Sequence, residues 1–260
     1  MTLKEDLRSG KITFGTWITI NHPDVPDALS DLDLDWLVFD MEHAPLDIPD
    51  IEVLTMPLKN SAITPLIRVP WNDFVVIKRA LDIGAKGILV PWVNDREEAE
   101  RVVSAASYPP RGIRGVGPRR CTRFGEIGFL DYYKTFEENE RVIAVQVETK
   151  QALDNLEEIL SVPGIDVAYI GPNDLTTNFG IPIQYGHPKF VEAVKKVIKT
   201  CEICDVAPGI HTFSVDMAKK AVESGFRFIA IMSDLSMMKN AFRRVLAELG
   251  RGELEDKVSY

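Results

Sequence analysis

Short apolar runs bounded by turn signals alternate along the chain with longer stretches of helical period, the pattern of parallel strands joined by crossover helices. The strand candidates are ITFGTWITI from Ile12, WLVFDME from Trp36, ITPLIRV from Ile63, KGILVPWV from Lys86, VIAVQVE from Val142, DVAYIG from Asp166, VAPGI from Val206 and FRFIAIM from Phe226. Helical stretches separate or follow them: VPDALSDL, IPDIEVLTMPLKN, FVVIKRALDIG, REEAERVVSAASY, QALDNLEEILSV, PKFVEAVKKVIKTCEIC, SVDMAKKAVESG and MMKNAFRRVLAELG, the sixth preceded by an insertion, TTNFGIPIQYGHP. Eight strand-then-helix units in 260 residues fit a (β/α)₈ TIM barrel, read as a single domain over residues 1–260. An open doubly wound sheet would need a glycine turn after its first strand, and TWITINHPDVPD has no glycine.

Composition narrows the function classes. Apolar residues are 45% and charged residues 27% of the chain, ordinary globular values. Thirty Lys and Arg against 39 Asp and Glu give a net charge of −9, which argues against nucleic acid as a partner. The start, MTLKEDLRSGK, lacks the apolar core of a signal peptide, and no apolar run approaches the length of a membrane span, so a cytoplasmic location is expected. Three cysteines fit a reducing compartment; Cys201 and Cys204 form a lone C-x-x-C in a helical stretch, read as helix thiols because a zinc site needs further ligands.

A barrel of this kind carries its chemistry at the carboxyl ends of the strands. There the sequence offers Asp40, Glu42 and His43 after the second strand, Arg68 at the third, Gln146 and Glu148 at the fifth, and Asp174 after the sixth. Glu148 and Asp174, carboxylates at adjacent strand ends, suit a hard divalent cation; alternatively Asp174 caps a helix and Glu148 pairs with Lys150. Asp40 could fix the tautomer of His43 and make it a general base, or the histidine could cap its own loop. Arg68 leaves an apolar strand, and so either stabilises an oxyanion, pairs with Asp40 or Glu42, or does both. Asp31, Asp33, Asp35 and Glu42 imitate a calcium loop but lack its glycine, and Gly112, Gly115 and Gly117 do not follow a strand as a dinucleotide fingerprint requires. The basic segment holding Arg111, Arg114, Arg119, Arg120 and Arg123 reads as a solvated loop that could also reach over the mouth or meet a neighbouring subunit.

FDMEHAP at 39–45, IRVPWND at 67–73, YPPRGIRGVG at 108–117, VQVET at 145–149 and IGPNDL at 170–175 together resemble the HpcH/HpaI family of metal-dependent pyruvate aldolases, almost end to end. The resemblance implies a carbon–carbon lyase that cleaves a 4-hydroxy-2-oxo acid to pyruvate and an aldehyde. It implies Glu148 and Asp174 as ligands of Mg²⁺, Mn²⁺ or Co²⁺, and Gln146 and the amides of Asn173 and Asp174 around the 2-oxo acid. Arg68 would face the ketone oxygen, and His43, oriented by Asp40, would be the base. A trimer or hexamer is implied, with Asp82 serving a neighbouring site. His211 departs from the family pattern in the loop that meets the aldehyde. Related chemistries remain as alternatives: oxaloacetate decarboxylation, acyl-CoA lysis, or a non-catalytic barrel binding a 2-oxo acid. A Schiff-base aldolase is disfavoured because no strand reads out a lysine at its carboxyl end.

Overall fold

The structure is a computed structural model and describes residues 1–251; residues 252–260 of the predicted domain lie outside them. Eight parallel strands close into a barrel in chain order, β1 (Thr13–Ile18), β2 (Trp36–Asp40), β3 (Thr64–Arg68), β4 (Gly87–Val90), β5 (Val142–Val147), β6 (Val167–Ile170), β7 (Ala207–Thr212) and β8 (Phe228–Ser233), with β8 pairing back onto β1. All eight predicted strands are present.

The two faces of each strand bury different cores. Trp17, Trp36, Val38, Leu66, Leu89, Val142, Ala144, Val167, Tyr169, Ala207, Phe228 and Ala230 fill the barrel interior. Their alternating neighbours, among them Leu37, Phe39, Ile67, Ile88, Ile143 and Ile229, pack outward against the helices. A period of two along the strands therefore assigns residues to one face, except at the end of β8, where the register shifts, Met232 is left-handed and Ser233 lines the mouth. Trp36 lies flat on Phe228, ring centroids 3.9 Å apart. Gly15 makes room for that indole, since a Cβ there would lie 2.2 Å from its ring atoms.

The helices depart from the sequence expectation in five places, one of them the stretch predicted as a single helix over 48–60, which divides into Ile48–Leu54 and a 3-10 turn, Pro57–Asn60. Helix Leu3–Arg8, opened by a Thr2/Glu5 capping box, tucks Leu3 and Leu7 into the amino-terminal end of the barrel. Helix Phe129–Asn139 adds a second helix to the β4–β5 crossover, burying Tyr132 and Phe136. The stretch predicted as one helix over 151–162 breaks at Asn155 into Lys150–Asp154 and Leu156–Leu160; Asn155 donates its side-chain amide to Asn94 O instead. A short helix, Pro172–Asn178, occupies the start of the predicted insertion. Among the described residues, no helix is long and apolar enough to cross a membrane.

Candidate active site

The same period of two decides which polar groups reach the barrel mouth. Continuing the inward phase past Trp17 gives Thr19; past Val38, Asp40; past Leu66, Arg68; past Ala144, Gln146 and then Glu148; past Tyr169, Gly171; and past Ala207, His211. Thr19, Asp40, Arg68, Gln146, Gly171 and His211 line a cavity of about 600 Å³, together with Trp17, His43, Asn173 and Asp174. Glu148 and Glu42 pack directly behind this lining, Glu148 against Gln146 and Gly171 and Glu42 against Arg68.

Arg68 is clamped. Asp40 and Arg68 are register partners at the ends of β2 and β3. The guanidinium donates from Nε to Asp40 Oδ1 at 2.8 Å and from Nη2 to Oδ2 at 2.7 Å, a bidentate fork, while Nη1 lies 2.9 Å from Glu42 Oε2. Its carbon lies 4.1 Å from the Trp17 ring centroid, and the indole in turn donates to Tyr169 Oη at 3.1 Å. Both predicted ion pairs of Arg68 are thus made. Two of the five N–H groups of the guanidinium hydrogen-bond to Asp40, whereas the Nη1–Glu42 contact is an ion pair that leaves Glu42 Oε2 without a hydrogen bond, so the remaining N–H groups are open to a bound molecule.

The expectation that Asp40 orients the His43 ring needs correction. Asp40 Oδ1 accepts from the backbone amides of Glu42 (2.9 Å) and His43 (3.3 Å), so with Arg68 its carboxylate is committed to shaping the turn. The imidazole is exposed instead, its Nε2 3.8 Å from Glu42 Oε1. Glu42, offered by the sequence only as a partner for Arg68, is thus also the carboxylate that faces the imidazole. Burial pushes it up to about 7; Arg68 opposes the shift, and Asp40 and Asp174 reinforce it.

Glu148 is buried and makes no surface pair with Lys150. Oε1 accepts from the Trp92 amide at 2.7 Å, and Oε2 accepts from the Gln146 side chain. Burial pushes this carboxyl to about 7; the Trp92 amide opposes, and Glu42 and Asp174 add to it. Trp92 has φ +54, a left-handed conformation rare for a large side chain, and this aims its N–H at Glu148. No sequence signal marked that residue. Asp174 sits in the first turn of Pro172–Asn178, whose N-cap is Gly171 without a side-chain cap, so Asp174 is free of the capping role considered for it. Asn173 lines the cavity, and its Oδ1 accepts from the Tyr185 hydroxyl.

The residues for a divalent cation fit one. Glu148 Oε2 and Asp174 Oδ2 converge on Gly171, where an added Cβ would lie 3.2 and 3.6 Å from them. Glu148 is raised chiefly by burial, with the Asp174 charge adding to it, and a cation between the two carboxylates would offset both effects. Among the described residues, no group of three or more His, Cys, Asp or Glu forms a metal cluster. The pair would therefore leave the remaining positions to water and substrate, a common arrangement for Mg²⁺.

Other sequence candidates lie elsewhere. Asp82, at the end of helix Phe74–Asp82, is absent from the cavity lining and accepts from Arg114 Nη2 at 2.8 Å. The arginine segment does not reach over the mouth: none of its five arginines lines the cavity. Arg114 is buried within 4.5 Å of the Tyr108 ring centroid, whereas Arg111, Arg119 and Arg123 are exposed. Cys201 and Cys204 are free thiols on helix Pro188–Cys204, and burial raises Cys201 to about 12. Asp234 accepts from the Thr19 hydroxyl and from the amides of Thr19 and Ile20, tying the exit of β8 to that of β1.

The chain is 37% identical over 253 residues to a hydroxypyruvate/pyruvate aldolase of Roseobacter denitrificans, covering 96% of this chain and 98% of the relative. It is 35% identical over 243 residues to a 5-keto-4-deoxy-D-glucarate aldolase of Shigella boydii, covering 93% of each. An HpcH/HpaI aldolase structure from Desulfitobacterium hafniense superimposes with a TM-score of 0.91 at 30% identity, covering 98% of both chains. The model of the HpcH/HpaI aldolase/citrate lyase family matches residues 13–241, and this chain, an aldolase built on a (β/α)₈ barrel, belongs to that family.

Proposed function

We propose that the protein cleaves 4-hydroxy-2-oxo acids to pyruvate and an aldehyde, reversibly and with a divalent cation held by Glu148 and Asp174. The observation that carries this reading is the convergence of those two carboxylates on Gly171 in a cavity that also holds the clamped Arg68. The cation would supply Lewis-acid stabilisation of negative charge developing on the 2-oxo acid.

The protein's own groups do the rest. Arg68, fixed by Asp40 and paired with Glu42, offers the N–H groups not bonded to Asp40 to the ketone oxygen and holds the enolate charge without reorganising. His43 removes the proton of the 4-hydroxyl, and Glu42, facing the ring at 3.8 Å, stabilises the imidazolium that forms. The C3–C4 bond breaks, its electron pair passes into the enolate of pyruvate, and the aldehyde departs. Proton return to C3 completes pyruvate. The amides of Asn173 and Asp174, in the first turn of their helix, and Gln146 bind the substrate carboxylate. Lysine takes no part: among the described residues none lines the cavity, and Lys86 pairs with Glu140.

A homo-oligomer, a trimer or hexamer, accompanies this reading. Helix Asp234–Glu248 exposes Leu235, Met238, Phe242, Val245 and Leu246, an apolar stripe suited to a second copy. In such an assembly Asp82 serves the neighbouring site.

The test is pyruvate release from a panel of 4-hydroxy-2-oxo acids, after stripping with EDTA and again after adding Mg²⁺, Mn²⁺ or Co²⁺. Cleavage lost on stripping and restored by a cation is expected; undiminished cleavage in EDTA would overturn the metal assignment. Decarboxylation of oxaloacetate without any aldol cleavage would favour the related decarboxylase chemistry.

A further inference from the structure

The proposed reaction uses the β2, β3, β5 and β6 side of the mouth, and the opposite wall is unassigned. It is lined by Thr19, His211, Phe213, Ser233, Leu235 and Ser236. A 2-oxo acid held by Arg68 and the carboxylate pair must extend its remaining carbons toward that wall, which is where the aldehyde portion has to lie.

Most polar groups of this wall are spent on the protein itself. The Thr19 hydroxyl donates to Asp234 at 2.6 Å. Ser233 Oγ donates to Ser236 Oγ, and Ser236 Oγ to Ser233 O, each at 3.0 Å. His211 differs. Its ring sits edge-on to Trp17, centroids 5.7 Å apart at 71°, and to Phe213 at 4.7 Å and 61°. Those rings fix its plane, yet neither ring nitrogen has a hydrogen-bond partner among the described residues. It belongs to the inward phase of β7, directly beside Ala230 of β8, and faces the cavity.

Burial, with Arg68 adding to it, lowers the imidazole to about 3. The ring is therefore neutral at physiological pH, with one nitrogen donating and the other accepting. A hydroxyl matches that pair, since it too donates and accepts. A carboxylate would find no positive charge at this ring, and an alkyl chain would leave both nitrogens unpaired in a largely aromatic surround, a costly outcome.

Resting on the aldolase reading above, we infer that His211 is the specificity residue for the aldehyde, hydrogen-bonding a hydroxyl of the acceptor and selecting hydroxylated aldehydes over alkyl aldehydes of the same size. The pairing of donor and acceptor at a fixed ring gives discrimination that a purely apolar wall cannot.

The experiment compares kcat/KM for aldol addition of pyruvate to glycolaldehyde, D-glyceraldehyde and propanal, in wild type and in His211→Leu and His211→Asn. Because the readout is a ratio of substrates within one protein, differences in folded fraction cancel. Wild type should favour the better hydroxylated aldehyde over propanal by roughly 10- to 100-fold. His211→Leu should bring that ratio near unity, and His211→Asn, which keeps a donor and an acceptor, should retain part of it. A ratio unchanged in His211→Leu, or a wild type indifferent to the hydroxyl, overturns the inference. Deuterium uptake at the pyruvate methyl group in wild type separates the two levels: its presence with an unchanged ratio overturns the specificity role alone, and its absence overturns the aldol reading and this inference together.

Discussion

The two ends of the barrel both bury charge, but they spend it differently. At the amino-terminal end, Lys4 is 2% exposed and directs its ammonium to Arg141 O and to both oxygens of Asp166, at 2.6 to 2.8 Å. Three donors meet three acceptors, and nothing is left for a ligand. At the mouth, Arg68 is nearly as buried yet hydrogen-bonds only to Asp40, while Glu42 and Glu148 are driven up to about 7 by burial, each reinforced by neighbouring carboxylates. A saturated ion pair closes the fold, whereas an unsaturated cluster stores unfavourable electrostatics that a cation and an anionic substrate relieve. The same chemistry of buried charge serves stability at one end and binding at the other.

Breaking the mouth should give the largest effect. Arg68→Ala and Glu148→Gln are each expected to lower kcat/KM for pyruvate formation by about 10²-fold or more, from the loss of one electrostatic element. The urea midpoint of Glu148→Gln should stay close to wild type or rise, because it removes repulsion from the cluster, whereas Arg68→Ala leaves Asp40 buried without its partner and should lower it. A large loss of stability in Glu148→Gln would erase the contrast between the two ends.

Breaking the other end should reverse the pattern. Lys4→Met leaves Asp166 partly buried without its ammonium and should cost about 3 kcal/mol in urea unfolding. The kcat/KM of the remaining folded protein should hold. A Lys4→Met variant as stable as wild type, with impaired catalysis, would contradict the assignment.

The smallest effect sharpens the comparison through pH. The folded His211 titrates near 3, and an unfolded histidine near 6.5. Between those values the unfolded chain binds more protons, so this residue makes stability rise with pH and fall as the solution is acidified below about 6.5. Unfolding free energy followed from pH 7 to pH 4 should therefore decline less steeply in His211→Leu, by up to about 1.4 kcal/mol per pH unit. Equal slopes would mean that the native ring takes up its proton as freely as the unfolded one.

Strand positions were legible as short apolar runs bounded by turn signals: WLVFD and VIAVQV are buried at every position, their side chains alternating between the barrel interior and the helices. Extending that alternation past the strand ends places Asp40, Arg68, Gln146, Glu148 and His211 on the inner face. What escaped was conformational. The Thr2/Glu5 capping box was present in the sequence, but helix Leu3–Arg8 is too short to show a period. Helix Phe129–Asn139 carries apolar residues at helical spacing, at Phe129, Tyr132, Tyr133 and Phe136, directly after an arginine-rich segment that reads as loop. The choice of Asp40 as partner for the His43 ring failed because Arg68 and two backbone amides claim the same carboxylate. The left-handed Trp92, by contrast, follows from tertiary packing and has no local signature.

Closure between the first strand and the last sets the order of events at the ribosome. Residues Thr13–Gly15 pair with Phe228–Ala230, and Thr19 is tied to Asp234, so the seam joins segments more than two hundred residues apart. Until β8 emerges, β1 presents an unpaired edge and the indole of Trp36 lacks the Phe228 ring that covers it. Nearly the whole chain must be synthesised before the barrel can close, so nascent protein passes through a long period open to self-association, and chaperone binding would protect it most during that interval.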